Sequence, residues 1–301
     1  MKKIVFLDQS LGGGGAERVL CTIMRSLDPE IFELHLILVS QITDLKHLVP
    51  DCVEIHELKI AHTRDSFLAY RKKVKELRPD LVFSTNVRTT VLSVLARFFC
   101  PRHRILARFP NMPSRQLNNG ELTSWRFPFS KFSYRFPEMV IAQTDEMADE
   151  LKSIFNVCPS KLRVIPNPLD KSYIDNCLQG QKNPLDAKFT NIVVSGRLEP
   201  QKGYDVLLQA FAIVKAEYPK LRLNILGRNV HSAKELLQQQ ADKLSILDSI
   251  VFWGFVENPY PFYKYCDLFV LSSRYEGYPN ALLEALYLGT RVAATNCVPI
   301  I

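Results

Sequence analysis

Residues 191–217, Asn191-Ile192-Val193-Val194-Ser195-Gly196-Arg197-Leu198-Glu199-Pro200-Gln201-Lys202-Gly203-Tyr204-Asp205-Val206-Leu207-Leu208-Gln209-Ala210-Phe211-Ala212-Ile213-Val214-Lys215-Ala216-Glu217, contain one complete repeat of the chain's architecture. Asn191 to Gly196 is a short, β-branched apolar run stopped by glycine and reads as a buried strand. Tyr204 to Glu217 places Val206, Leu207, Ala210, Phe211 and Val214 on one stripe and reads as a helix. A strand joined to a helix through a short glycine loop is a parallel βα unit. Downstream the alternation continues, with strands expected at Arg222 to Leu226, Ile250 to Trp253, Asp267 to Leu271 and Arg291 to Ala294, and a helix opened by a capping box, Ser232-x-x-Glu235. Upstream, strands are expected at Lys2 to Asp8, Glu33 to Val39, Val53 to Leu58, Leu81 to Phe83, Arg104 to Ala107, Met139 to Ala142 and Leu162 to Ile165. Helices are expected at Ala16 to Leu27, Asp65 to Leu77 and Thr144 to Phe155.

Pro166-Asn167-Pro168 interrupts the pattern, and Leu169 to Thr190 is polar and lacks clear periodicity, as a connection between domains does. The fold class is therefore α/β, with domains at residues 1–168 and 169–301. The length of 301 residues agrees, since one core seldom serves so long a chain. With 47% hydrophobic and 23% charged residues, disorder, collagen and coiled coil are excluded as the whole answer, and a formal charge of +7 favours an anionic partner. Seven cysteines, odd in number and without a C-x-x-C pair, fit a reducing, cytoplasmic setting. Asp8 ends the first apolar run too early for a signal sequence, and the longest other run, Val91 to Phe99, carries Arg97 and is too short to span a bilayer.

Three loops could carry chemistry. Leu11-Gly12-Gly13-Gly14-Gly15-Ala16-Glu17 joins the first strand to the first helix, where it serves either as a tight turn or as a phosphate contact; its spacing does not fit the dinucleotide fingerprint. Gly196 to Gly203 brings Arg197 and Lys202 to the carboxyl end of a strand, where a guanidinium fork and an ammonium could neutralise a diphosphate without a metal; two solvated cations are the plainer reading. Ser272-Ser273-Arg274-Tyr275-Glu276-Gly277-Tyr278-Pro279-Asn280-Ala281-Leu282-Leu283-Glu284 holds two carboxylates at a fixed spacing. Pro279 would begin a helix whose free N–H groups at Asn280, Ala281 and Leu282 attract an anion, while Glu284, one turn in, could accept bonds from a ribose diol. Singly, each glutamate could be only a surface charge. The six histidines show no zinc spacing, His103 reads as a surface residue, and neither G-x-S-x-G nor Asp-x-Asp occurs. Between Arg97 and Phe136, eight Arg/Lys residues against the single acid Glu121 are interleaved with nine aromatics, which suits an anionic membrane surface; core aromatics beneath surface arginines would explain about half of them.

Gly14-Gly15-x-Glu17, Val164-Ile165-Pro166-Asn167-Pro168, Gly196-Arg197-Leu198-x-x-x-Lys202-Gly203, Gly254-Phe255-Val256 and Glu276-x7-Glu284 together resemble a family 4 retaining glycosyltransferase of the GT-B fold, over essentially the whole chain. The resemblance implies two Rossmann-like domains with parallel sheets facing a cleft, the first binding acceptor and the second a nucleotide-diphosphate sugar, usually UDP-linked. It implies that Arg197 and Lys202 hold the diphosphate, Glu284 the ribose, Gly254 to Val256 the base and Glu276 the transferred sugar, with Gly15 approaching from the first domain. The implied catalytic residues are Glu276, Arg197 and Lys202; the implied donor-binding residues are Gly15, Arg197, Lys202, Val256, Glu276, Gly277, Tyr278, Pro279, Asn280, Ala281 and Glu284. No metal or cofactor is expected, because Arg197 and Lys202 stand where a metal would otherwise sit, and no protein nucleophile is required, because the departing phosphate takes the acceptor's proton. The expected partners are the donor, a glycan or lipid-linked acceptor and an anionic membrane surface, but not nucleic acid, with the protein peripheral on the cytoplasmic face.

Two departures stand against this. Where relatives carry a His or Glu after the strand at Arg104 to Ala107, this sequence has Arg108-Phe109-Pro110-Asn111. Relatives also continue past the position of Ile301, so the second domain is expected to be incomplete. The alternative is a truncated, inactive relative that binds nucleotide or a partner; a GT-B epimerase would fit the fold but not the paired glutamates.

Overall fold

The structure, a computed structural model, describes residues 1–12, 14–118, 127–230 and 232–297. It divides into two compact units, Met1–Pro168 and Leu169–Ile301. Along the first unit run β1 (Lys2–Asp8), α1 (Gly15–Arg25), β2 (Phe32–Leu38), β3 (Val53–Glu57), α2 (Phe67–Leu77), β4 (Leu81–Ser84), α3 (Val87–Arg97), β5 (Arg104–Arg108), α4 (Pro113–Asn118), α5 (Phe127–Ser133), β6 (Met139–Ala142), α6 (Asp145–Phe155) and β7 (Leu162–Val164). The second holds α7 (Lys171–Leu178), β8 (Thr190–Ser195), α8 (Tyr204–Glu217), β9 (Leu221–Leu226), α9 (Ala233–Lys243), β10 (Ile250–Gly254), α10 (Tyr260–Tyr265), β11 (Leu268–Leu271), α11 (Asn280–Tyr287) and β12 (Val292–Ala294).

Each unit is a Rossmann-like parallel sheet. Strand order is β3-β2-β1-β4-β5-β6-β7 in the first and β10-β9-β8-β11-β12 in the second. Strands covered on both faces read as unbroken apolar runs, and Ile4, Val5, Phe6 and Leu7 of β1 are all buried. The order reverses between β1 and β4, and again between β8 and β11. At such a switch point neighbouring loops leave the strand ends in opposite directions and open a crevice at the carboxyl edge. The loops after β8 and β11 are the two that carry Arg197, Lys202 and Glu276.

Helix boundaries follow their caps. Thr144 accepts a bond from Met147 N at 3.2 Å to open α6, with Asp145 and Glu146 in its first turn. Asn86 and Thr89 form a reciprocal capping box on α3.

Four expectations fail locally. The connection after Pro168 contains α7, whose N-terminus is capped by Asp170. On α8 the buried residues are Tyr204, Leu208 and Phe211, while Val206 and Val214 lie exposed at 53% and 43%. That helix is apolar nearly all round, so periodicity alone cannot choose its inner face. Ser232 adopts a left-handed conformation and makes no capping bond; Glu235 instead accepts bonds from Asn229 Nδ2 at 3.1 and 3.3 Å. His103 is buried at 3% exposure just before β5, with Nδ1 2.9 Å from Pro101 O.

The basic and aromatic stretch from Arg97 to Phe136 divides in two. Phe109 and Tyr134 pack with Phe155 in the core of the first unit, and Arg108 is buried. Phe98, Phe99, Phe129 and Phe132 are about half exposed, at 64%, 55%, 47% and 50%. Phe136 packs edge-on against both Phe98 and Phe132, and Arg135 lies over the Phe132 ring. Trp125 falls outside the described residues.

Candidate active site

The two loops at the β8/β11 switch point are tied together by side chains and backbone. Ser272 Oγ donates to Lys202 O at 2.8 Å, Arg274 N to Gln201 O at 2.8 Å, and Gln201 Nε2 to Tyr275 O at 3.0 Å. Arg274 grips Asp205 with both guanidinium nitrogens at 2.8 and 2.6 Å and reaches Pro200 O at 2.6 Å. A forked arginine–carboxylate pair fixes direction as well as distance. Gly203, at φ +63°, closes this seam: a Cβ there would run into the backbone oxygen of Ser272.

At the centre of the seam Lys202 Nζ lies 2.6 Å from Glu276 Oε1. The lysine stem crosses Gly196 so closely that a Cβ on that glycine would stand 2.7 Å from Lys202 Cε. Glu276 is 7% exposed and also accepts from Ser273 Oγ at 2.5 Å and, at longer range, from Gln201 Nε2 at 3.4 Å. Ser273 is in turn buttressed through its carbonyl, which accepts from Thr295 Oγ1 at 2.5 Å. The carboxyl group is thus ringed by donors and largely shielded from solvent, where polar interactions are strong.

The remaining sequence-derived residues are dispersed around this pair. Arg197 turns to Glu199 at 3.1 Å, with its side chain 58% exposed. Gly277 and Pro279 are buried, and Tyr278, Asn280, Ala281 and Glu284 are half-buried along the loop and the start of α11. Val256, after β10, packs against the core cluster of the second unit. The expected row of free amides is corrected: Asn280 N donates to Tyr278 O at 3.0 Å and Leu282 N to Pro279 O at 3.1 Å. Pro279 is the cap rather than the first helical residue, so the chain tightens there and takes up those donors. Gly15, the first residue of α1, belongs to the other unit.

Sequence reasoning missed the supporting cast of Gln201, Ser272, Ser273, Arg274, Asp205 and Thr295. The sequence does place Arg274 and Asp205 at their loop ends, but pairing across about 70 positions leaves no local pattern.

It also missed a polar group at the carboxyl edge of the first sheet. Asp8, at the end of β1, is buried and accepts from Gln9 N at 2.6 Å; burial first, then the charge of Glu17, pushes its carboxyl up to about 7. Arg108, at the end of β5, is 4% exposed and donates to Asn167 Oδ1 at 2.7 Å; burial pulls it down to about 10 against the opposing pull of Asp8 and Glu17. Gln143, just past β6, is 1% exposed, and neither end of its amide has a partner among the described residues. A second grouping unforeseen from histidine spacing is His35 with His56, which parallel pairing of β2 and β3 brings side by side.

The comparisons agree with this architecture. A family model described as Glycosyltransferase Family 4 matches residues 13–173, and one described as Glycosyl transferases group 1 matches residues 178–301. The chain is 28% identical over 308 residues to the N-acetylgalactosamine-N,N'-diacetylbacillosaminyl-diphospho-undecaprenol 4-alpha-N-acetylgalactosaminyltransferase of Campylobacter jejuni, covering 98% of this chain and 81% of that protein. It is 30% identical over 239 residues to an uncharacterised glycosyltransferase of Methanocaldococcus jannaschii, covering 75% of this chain and 58% of that one. Among solved structures, HepE of Anabaena in complex with UDP and glucose superposes with a TM-score of 0.79 at 21% identity, covering 99% of this chain and 81% of that one. WaaG, a glycosyltransferase involved in lipopolysaccharide biosynthesis, gives 0.75 at 15% identity, with coverages of 98% and 81%. These likenesses identify the fold as GT-B.

Proposed function

Because the chain belongs to glycosyltransferase family 4, we propose that it moves a sugar from a nucleotide-diphosphate sugar, UDP-linked, to a glycan or lipid-linked acceptor with retention, in cell-surface polysaccharide or glycolipid synthesis. The observation that carries the reading is the Lys202–Glu276 pair, set at the switch point by two loops that bond to each other. Lys202, joined by Arg197 once it leaves Glu199, neutralises the departing diphosphate. Glu276 receives hydroxyls of the transferred sugar, Glu284 the ribose, and Gly254 to Val256 the base. Gly277 to Ala281 line the donor.

In this reading Lys202 has two states. Without donor it is satisfied by Glu276; with donor its ammonium turns to phosphate oxygens, and the sugar's hydroxyls replace it as donors to the carboxylate. The swap couples diphosphate and sugar recognition, since either alone leaves one buried charge short of a partner. Fixed cations aimed at the leaving oxygens stabilise the charge that builds up as the glycosidic bond breaks. The departing phosphate takes the acceptor's proton on the same face, so no protein nucleophile is required, and the fixed cations stand in for a metal.

For the acceptor, the Campylobacter relative's name describes a diphospho-undecaprenol lipid. Gln143, whose amide has no partner among the described residues, and buried Arg108, at the ends of the adjacent strands β6 and β5, give the first unit polar groups suited to such an acceptor's head. The exposed phenylalanines just past α3 and on α5, with Arg135 over one ring, would rest the protein on an anionic membrane surface. No helix among the described residues is long and apolar enough to cross a membrane.

The test is calorimetric titration with UDP in EDTA, using wild type, Arg197→Ala and Lys202→Ala, followed by UDP release with membranes as acceptor source. Each loss of a charge-assisted contact should weaken UDP by roughly tenfold or more. Unchanged affinity in both variants, or binding restored only by Mg²⁺ or Mn²⁺, would remove the proposal. Binding without any UDP release would favour a nucleotide-binding role instead.

A further inference from the structure

On the edge of the first unit's sheet, far in sequence from every loop discussed above, three side chains with metal-binding chemistry meet. His35 lies on β2; Glu54 and His56 lie on the edge strand β3. Parallel pairing sets His35 beside Glu54 and Ile37 beside His56, so all three side chains leave one face of the sheet. His35 Nδ1 is 3.1 Å from His56 Nε2 and 3.3 Å from Glu54 Oε2, and Glu54 Oε1 is 3.8 Å from His56 Nε2. A donor atom from each of the three lies within 4.8 Å of the others. Two ligands of a tetrahedral zinc ion with bonds of about 2.0–2.1 Å stand about 3.3–3.4 Å apart. The two contacts of His35 Nδ1, at 3.1 and 3.3 Å, are therefore already close to the edges of that tetrahedron.

The surroundings of the buried ring point the same way. His35 is 3% exposed, and its Nε2 lies 2.9 Å from Glu33 Oε1, which in turn pairs with Lys3 at 2.8 Å. A carboxylate behind the ring at Nε2, with Nδ1 turned to Glu54 and His56, is the geometry of a carboxylate–histidine–metal relay.

We propose that His35, Glu54 and His56 bind a borderline divalent transition metal of the Zn²⁺ class, with Glu33 orienting His35 and water completing the coordination. Two imidazoles and a carboxylate favour such an ion over Mg²⁺ or Ca²⁺. Glu54, 66% exposed, keeps the site open to solvent from outside the sheet. The ion would clamp the edge strand β3 to β2 and so secure the border where a parallel sheet is most easily frayed or extended by another chain. It takes no part in donor binding, so the EDTA-resistant titration with UDP and the experiment below fail independently of each other.

The experiment uses the untagged full chain, stripped with EDTA and exchanged into chelator-free buffer, then titrated with ZnCl₂ by calorimetry and with CoCl₂ by absorption. One equivalent should bind and raise the unfolding temperature. The cobalt spectrum should show tetrahedral visible bands without a near-ultraviolet thiolate band, which separates this site from the chain's free cysteines, exposed Cys52 among them. Glu54→Ala, a surface change, and His56→Ala should each weaken Zn²⁺ at least tenfold, and Glu33→Gln by about tenfold or more. No stoichiometric uptake, a thiolate band, or binding unchanged in both Glu54→Ala and His56→Ala would overturn the assignment; the first variant keeps the test valid even if the second folds poorly.

Discussion

Replacing Lys202 by methionine keeps most of the side chain's apolar stem but strands Glu276, whose side chain is 9% exposed. Removing one member of a buried ion pair costs about 3–5 kcal/mol in general. Here the carboxylate retains Ser273 and Gln201 as donors, and the lysine side chain was 19% exposed to begin with. The expected loss is therefore at or just below the floor of that range, about 2–3 kcal/mol. Glu276→Gln leaves an ammonium on a flexible stem that can turn to water, and should cost only about 1 kcal/mol. The double variant Lys202→Met/Glu276→Gln removes both charges and should be more stable than Lys202→Met alone by about 1–2 kcal/mol. Urea titrations read by Trp253 fluorescence suit this, because that indole sits in the second unit, stacked edge-on to Phe262, and a Trp125→Phe background silences the other tryptophan. The same variants separate ligand roles: Glu276→Gln should bind UDP at least as well as wild type, its lysine now being free, yet lose the preference for UDP-sugar over UDP. Additive losses in the double variant, or a Lys202→Met cost below about 0.5 kcal/mol, would refute the claim that the pair is a buried, mutually dependent unit.

Gly203→Ala should cost at least about 1 kcal/mol and weaken UDP binding, because the added methyl at positive φ drives into Ser272 O and parts the two loops; an unshifted urea midpoint would show the seam to be slack. Sedimentation with vesicles should show salt-sensitive binding to anionic lipid that falls in Phe98→Ser/Phe132→Ser, and equal binding to neutral lipid would return those rings to an ordinary surface role. Asp8, with its folded-state pKa near 7 against an ordinary 3.8, is neutral in both states at low pH, so its burial costs nothing there; as pH rises through that window the unfolded chain ionises first and stability falls by up to ~4 kcal/mol. The stability of Asp8→Asn relative to wild type should therefore grow from about pH 4 to about pH 8, and a gap that is flat or shrinks would contradict the burial of that charge.

The parts of the fold that could be read from the sequence were those set by local physics. A strand buried on both faces must be continuously apolar, and β1, β6 and the other inner strands were located to within a residue or two for that reason. The helix α6 was visible because Thr144 and two acids announce its start. Legibility failed where the deciding contact is tertiary. Nothing within α8 distinguishes Leu208, which faces the sheet, from Val206, which faces water. Ser232-x-x-Glu235 has the letters of a capping box, but Asn229 outcompetes the serine for the glutamate. The four aromatics exposed just past α3 and on α5 and those in the core share one composition, and only their position around Phe155 separates them.

The candidate site shows the same division at finer scale. Arg197, Lys202, Glu276 and Glu284 could be singled out because their residue types and spacing already suggest anion and diol recognition. Their mutual arrangement could not, because strand order decides which loops become neighbours. β8 and β11 lie side by side although α8, β9, α9, β10 and α10 intervene, and that adjacency alone brings Lys202 onto Glu276. The sequence reading treated the cation as a diphosphate ligand and the anion as a sugar ligand, each acting alone. Once adjacency is known, neither can be satisfied without affecting the other. A ligand bearing only a diphosphate must break a 2.6 Å ion pair to recruit Lys202 and offers nothing to Glu276 in return, whereas a nucleotide sugar supplies both replacements at once. Discrimination between donor and spent nucleotide can thus arise from the pairing itself, with no additional residue devoted to it.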